Sequence, residues 1–193
     1  MFFKRKGFLK RKGSFWHKDF KISSLGWGSE NAMSVEDYRG SSKEVEIPSA
    51  LKKNPVTTIG RGAFEKKEIE SVVLHSDLQV IKDGAFMNNN LTEITIPDSV
   101  YQIGFNAFDR NNLIKVTLPE NVELIKDEAF GRYTDQILQD YEKNNKKATT
   151  YQWNEKKQEW QNQTKKIQDI AGNNVEQTAS GIVGSTVNNS IKL

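Results

Sequence analysis

Cysteine is absent from the 193 residues, which removes disulfides, thiolate nucleophiles and sulfur-ligated metals together and leaves the redox compartment open. Histidine is almost as scarce. His17 sits among basic residues and His75 stands alone, neither with a partner at ligand spacing, so no transition-metal site is expected. The phosphate-loop pattern is missing too: Gly60-Arg61-Gly62 lacks both a third glycine and the Lys-Ser/Thr pair that would hold phosphate and Mg²⁺. Asp83 and Asp127 share a position in the repeat described below but stand two units apart, too far for a shared proton or a calcium loop. No catalytic residue, cofactor or metal ligand is therefore expected, and an enzyme built in the C-terminal region is a weak rival reading. Long apolar runs are also lacking. None reaches the ~18 residues of a membrane span, and residues 1–20 carry basic side chains where a signal peptide needs unbroken apolar chain. An export signal upstream of Met1 is the alternative.

What is present is polar and unevenly charged. A mean hydropathy of -0.68 predicts that part of the chain, the ends first, packs poorly. The net charge of +3 hides an asymmetry: residues 1–21 carry eight Lys or Arg against Asp19 alone, so that segment is +7 and the remainder is -4. The segment is itself a duplication, FFKRKG followed by FLKRKG. Lys4, Arg5, Lys6, Lys10, Arg11 and Lys12, interleaved with Phe and Leu, form a basic flexible arm over 1–19. Such an arm is solvated, or lies on an anionic membrane surface, or grips nucleic-acid phosphates; nothing in it reads bases, so no sequence-specific nucleic-acid partner is expected.

The dominant signal is a phrase that returns every 22 residues: IGRGAF at 59–64, IKDGAF at 81–86, IGFNAF at 103–108 and IKDEAF at 125–130. Around it, Ile69, Leu91 and Leu113, then Val72, Ile94 and Val116, then Leu74, Ile96 and Leu118, then Leu78, Val100 and Val122 keep the same register. Residues 45–64 are an earlier copy with five residues too many, which fit a loop around Lys52 to Pro55. A fixed period of this size predicts a solenoid, because no unit can bury its apolar face alone and neighbours must stack to share one core. I-T-I (94–96) and V-T-L (116–118) alternate as strands do, the end residues inward and Thr outward. Pro97 and Pro119 stop them. Four coils with strands pairing in parallel ~4.8 Å apart make a rod ~15–20 Å long. On the opposite wall Phe64, Phe86, Phe108 and Phe130 are predicted to form a core column.

The pattern L-x-x-I-x-I-P-x-x-V-x-x-I-[GK]-x-x-A-F resembles the BspA-like, treponemal-type leucine-rich repeats of bacteria, over residues 43–130. It departs from the general leucine-rich repeat in having no Asn ladder and in placing Pro directly after the strand, so the ribonuclease-inhibitor horseshoe is the wrong template. The resemblance implies a β-rich α/β solenoid, a right-handed coil with a short parallel sheet. It also implies a non-catalytic module of the bacterial surface-adhesin type, surface-bound or secreted, whose partner is a host or matrix protein. An intracellular, membrane-tethered scaffold using the same repeats is the alternative.

Flanking segments complete the organisation. Residues 20–42 hold a cap hairpin, 20–25 against 32–38. Residues 131–160 supply a second cap, a helix over 134–144 with Thr134 as N-cap and Ile137, Leu138 and Tyr141 on one face, then a hairpin over 149–160 bearing Tyr151, Trp153 and Trp160. Those aromatics pack on one another and on the helix, or bind sugar. Residues 161–193 read as a weakly structured tail. The candidate protein-binding surface is the outward strand column Glu46, Val73, Thr95 and Thr117, with Ser71, Glu93 and Lys115 beside it. Phe105, apolar in the slot of Arg61, Asp83 and Asp127, is a second candidate unless it is accommodated against Tyr101 or a neighbouring coil.

Overall fold

The computed structural model of the protein describes residues 14–25, 32–51, 53–120 and 122–165. Each coil contributes two short strands, and these gather on two walls of a solenoid of about four turns. The outer strands, carrying the I-T-I signature, are β4 (Glu44–Glu46), β7 (Ser71–Val73), β9 (Glu93–Thr95) and β11 (Lys115–Leu118). On the other wall β6 (Asn54–Ile59), β8 (Val80–Ile81), β10 (Gln102–Ile103) and β12 (Leu124–Ile125) pair in parallel at the isoleucine of the repeated phrase. This second parallel sheet was not expected from sequence. The expected single four-strand sheet is also corrected, because its strands fall into a β4–β7 pair and a separate β9–β11 pair.

The core follows the register. Phe64, Phe86, Phe108 and Phe130 are buried and stack at centroid separations of 4.9, 5.3 and 5.7 Å, with interplanar angles of 11° or less. Coil spacing imposes this nearly parallel geometry, since each ring rises with its own coil. The column runs on into the N-terminal cap, where Tyr38 lies 5.4 Å from Phe64 and Phe20 lies 5.4 Å from Tyr38. Before each Phe the backbone turns through the left-handed region, at Gly62 and Gly84 and again at Asn106 and Glu128. Glycine meets that geometry at the least cost, and the later coils accept some strain.

After each inner Phe a side chain closes the corner, an asparagine in a different slot from the Asn of the general leucine-rich repeat and one that was not expected from sequence. Asn89 Oδ1 accepts from Lys67 N and Ile69 N, while its Nδ2 donates to Phe64 O and Phe86 O at 2.7 and 2.8 Å. Asn111 repeats the arrangement 22 residues on, donating to Phe86 O and Phe108 O and accepting from Leu91 N. Buried carbonyls that would otherwise lack donors are thereby satisfied.

Both ends carry caps. At the N-terminal end β1 (Ser14–His17) pairs with β2 (Phe20–Ser24), which pairs antiparallel with β3 (Met33–Tyr38), and β3 joins β6 in parallel. The cap hairpin is therefore as expected, but the arm expected over 1–19 is shorter by the strand at 14–17; the arm residues Lys4, Arg5, Lys6, Lys10, Arg11 and Lys12 lie outside the described residues. The five extra residues of the first coil form a small hairpin rather than a plain loop, β5 (Ala50–Leu51) against β6.

At the C-terminal end α1 (Thr134–Lys143) buries Ile137 and Tyr141 against the last coil, Leu138 being half-buried. Tyr141 Oη donates to Pro119 O at 2.6 Å and accepts from Val122 N. Thr134 is not the N-cap: it is the first helical residue, and its buried hydroxyl donates to Gly131 O and accepts from Phe130 N, tying the helix start to the end of the Phe column. The hairpin is formed by β13 (Thr149–Asn154) and β14 (Glu159–Asn162), so strand continues two residues into the segment expected as tail. The rest of that segment, from residue 166, lies outside the described residues.

Candidate protein-binding surfaces

The strand wall brings the expected residues together in two groups. In the first, Ser71 stands beside Glu44 and Val73 beside Glu46. Glu46, Ser71 and Val73 are all exposed, Val73 at 61% of its surface although it is apolar. In the second, Glu93 pairs with Lys115 and Thr95 with Thr117, and the Lys115 ammonium reaches Glu93 at 3.0 Å. Thr95 is exposed. Thr117 is half-buried, because β13 adds antiparallel to β11 and the Thr150 hydroxyl lies 3.1 Å from that of Thr117. The C-terminal hairpin thus widens the sheet and sets Thr150 and Gln152 beside Thr117 and Lys115. Sequence reasoning missed these two. The signal was there: residues 149–154 alternate as a strand needing a partner, and β11 was the open edge.

Trp153 and Trp160 pack on one another at 5.9 Å as expected, and Tyr133, which was not expected there, joins them at 4.6 and 6.5 Å. Asp140 on α1 accepts from Tyr151 Oη at 3.1 Å and from Asn162 Nδ2 at 2.6 Å, fastening hairpin to helix. Burial and the Asp140 carboxylate both push the Tyr151 phenol far above its ordinary range, so it stays a neutral donor.

The second wall is more charged. A groove of about 540 Å³ crosses it, lined by Glu36, Thr58, Arg61, Lys82, Asp83 and Lys126 among others. Arg61 pairs with Asp83 at 3.0 Å, and Asp83 Oδ1 accepts from Phe105 N. Phe105 remains 44% exposed, with the Lys126 ammonium 4.7 Å above its ring, so it is accommodated by a cation over its face rather than by burial. Burial pushes the Glu36 carboxyl up, but the Ser23 hydroxyl at 2.6 Å and the charges of Lys82 and Lys21 outweigh it and hold the group below its ordinary range. Among the described residues no His, Asp or Glu cluster is arranged to hold a metal ion, and no helix is long and apolar enough to cross a membrane.

The profile of a family described as the BspA type leucine rich repeat region matches residues 57–173 in six copies, running past the last coil into the helix and hairpin. No curated protein matches the chain. Among solved structures, a leucine-rich repeat protein from Bacteroides capillosus is 24% identical, covering 53% of this chain and 96% of its own, at a TM-score of 0.41. The T. pallidum leucine rich repeat protein is 18% identical over 54% of this chain and 71% of its own, at a TM-score of 0.33.

Proposed function

Because the chain belongs to the BspA-type leucine-rich repeat family, we propose that it is a protein-binding module that presents the outer face of its strand wall to a protein ligand. The observation that carries this reading is Val73, an apolar side chain left open on a strand between Glu46 and Thr95. A face built on strands costs little to order on binding, so a modest contact area can suffice. Glu46, Ser71, Val73, Glu93 and Thr95 form the contact. Thr117 and Lys115 belong to its margin, where the hairpin begins.

An adhesin-type role at the bacterial surface, with an extracellular matrix protein as ligand, is the finer form of this proposal. The test is binding of the purified chain to a panel of purified matrix proteins, comparing it with a Val73→Arg/Thr95→Arg variant. The expected result is binding to at least one member, weakened about tenfold or more in the variant, a loss of ~1.4 kcal/mol, at an unchanged melting temperature. Equal binding by the variant would move the interface off the strand face, and binding to no member would remove the matrix ligand.

A further inference from the structure

The two walls of the solenoid end differently beyond the last coil. The strand wall is closed, since β13 pairs along the whole of β11. Among the described residues the second wall is not. In the inner coils its hydrogen bonds run on both sides: Gln79 O accepts from Tyr101 N, Tyr101 O from Leu124 N, Ile81 O from Gly104 N and Ile103 O from Lys126 N. The equivalents one coil later are the carbonyls of Glu123 and Ile125. Likewise Gly84 N donates to Phe105 O and Asn106 N to Asp127 O, which makes Glu128 N the next donor in line. Among the described residues no strand pairs with the outer side of β12, where the sheet order stops. Ile125 is half-buried although Ile59, Ile81 and Ile103 are fully buried, and Leu124 is exposed. An edge with this row of open groups is a template for strand addition.

The edge is also acidic. Glu123, Asp127 and Glu128 are exposed on the last coil; of the cations near them among the described residues, Lys126 is turned back over Phe105 and toward Asp83 of the inner coils, and Lys146 donates to Val122 O and pairs with Glu142 of the helix. Exposed Leu124, Phe105 and Tyr101 add apolar surface on the same two coils. Residues 1–13 have the complementary composition: six Lys or Arg, no Asp or Glu, and Phe2, Phe3, Phe8 and Leu9 interleaved. We propose that β12 is the docking site for residues 1–13 of a second copy of this chain, which add to the sheet as a further strand.

Geometry favours the second copy over the chain's own arm. The arm adjoins β1, at the opposite end of the same sheet and six strand steps from β12, a distance of roughly 29 Å at ~4.8 Å per step. Thirteen extended residues reach at most ~43–47 Å, so a chain's own arm would spend most of its length crossing the sheet and leave few residues to pair. A second copy offers the whole segment. The contact joins the β1 end of one copy to the β12 end of another, a head-to-tail arrangement that leaves each copy one further arm and one further edge to engage, so it extends beyond a dimer into rings or open chains. It leaves the outer strand face free, so it stands independently of the proposed ligand contact.

Sedimentation velocity on the full chain tests this, at low salt over about a hundredfold concentration range and again at about 0.5 M sodium chloride, where the Debye length is short. Two variants accompany it: Lys4→Glu/Arg5→Glu/Lys6→Glu, which cancels the net charge of the arm, and Glu123→Lys/Asp127→Lys/Glu128→Lys, which reverses the exposed edge. The parent should associate with rising concentration and dissociate in salt. Each variant alone should stay monomeric with an unchanged melting temperature, and an equimolar mixture of the two should associate again. A parent that is monomeric throughout overturns the proposal, and so does an edge-reversed chain that associates like the parent. A monomeric parent that co-sediments with acidic phospholipid vesicles would assign the arm to membranes instead.

Discussion

Phe86 is buried between two parallel rings, at 4.9 Å from Phe64 and 5.3 Å from Phe108. Removing it opens a cavity that flanking coils cannot fill without losing their own register. Phe86→Ala should therefore cost about 3–5 kcal/mol, whereas Thr95→Ala on the exposed face should change stability by about 0.5 kcal/mol or less; urea melts of both decide the point. Asn89 works at the same scale through hydrogen bonds. Its amide serves five main-chain groups on two coils, and Asn89→Ala should cost at least about 2 kcal/mol by leaving buried groups unpaired. The Phe column was legible because all four units carry it. The Asn corner was not, since the same slot reads Lys67, Asn89, Asn111 and Tyr133, a ladder of only two rungs. His75 occupies the corner filled by Pro48, Pro97 and Pro119 in the other coils. Burial lowers its pKa more than nearby Asp77 raises it. A depressed imidazole contributes stability above its ordinary pKa and loses it as pH falls below that value, because the unfolded chain takes up the proton first. His75→Pro should raise stability by about 0.4–1 kcal/mol near neutral pH and widen its advantage toward pH ~5, as thermal melts at the two pH values will show.

Among the elements, the C-terminal cap was read correctly in kind because apolar spacing over 137–141 and alternation over 149–154 are each long enough to show a period. The two-residue strands β8, β10 and β12 are too short to show one, so the second sheet emerges only when coils stack. β1 was hidden for a different reason: Ser14–His17 follows directly on the basic run and shares its charge-rich context. The misassigned N-cap has a physical cause as well. Thr134 satisfies a main-chain donor, as a cap residue does, but that donor is Phe130 N on the coil rather than one in the helix. The cap's attachment to the solenoid rests on Tyr141, whose hydroxyl bridges Pro119 O and Val122 N. Tyr141→Phe should destabilise the protein by about 1–3 kcal/mol, and hydrogen exchange should show the loss first in 122–130 and the helix rather than in the N-terminal coils.

At the scale of the whole molecule the described chain is a short rod with two unlike walls and two unlike ends. The strand wall combines exposed Val73 with polar neighbours; the other carries the paired charges of Arg61, Asp83 and Lys126 and an open acidic end. The proposed ligand contact and the proposed contact between copies use different surfaces and can fail separately. The outward positions Ser71, Val73, Glu93 and Thr95 were legible from the 22-residue register, and Glu46 from the earlier copy that is five residues longer. The shielding of Thr117 and the bare edge at β12 depend on where the hairpin lands, which no repeat pattern encodes. Hydroxyl-radical footprinting of the chain, free and saturated with a matrix protein that it binds, separates the walls in one measurement because Val73, Phe105 and Leu124 all start exposed. The predicted result is strong protection of Val73 with Phe105 and Leu124 still reactive; protection of Phe105 or Leu124 with Val73 unchanged would contradict binding through the strand face.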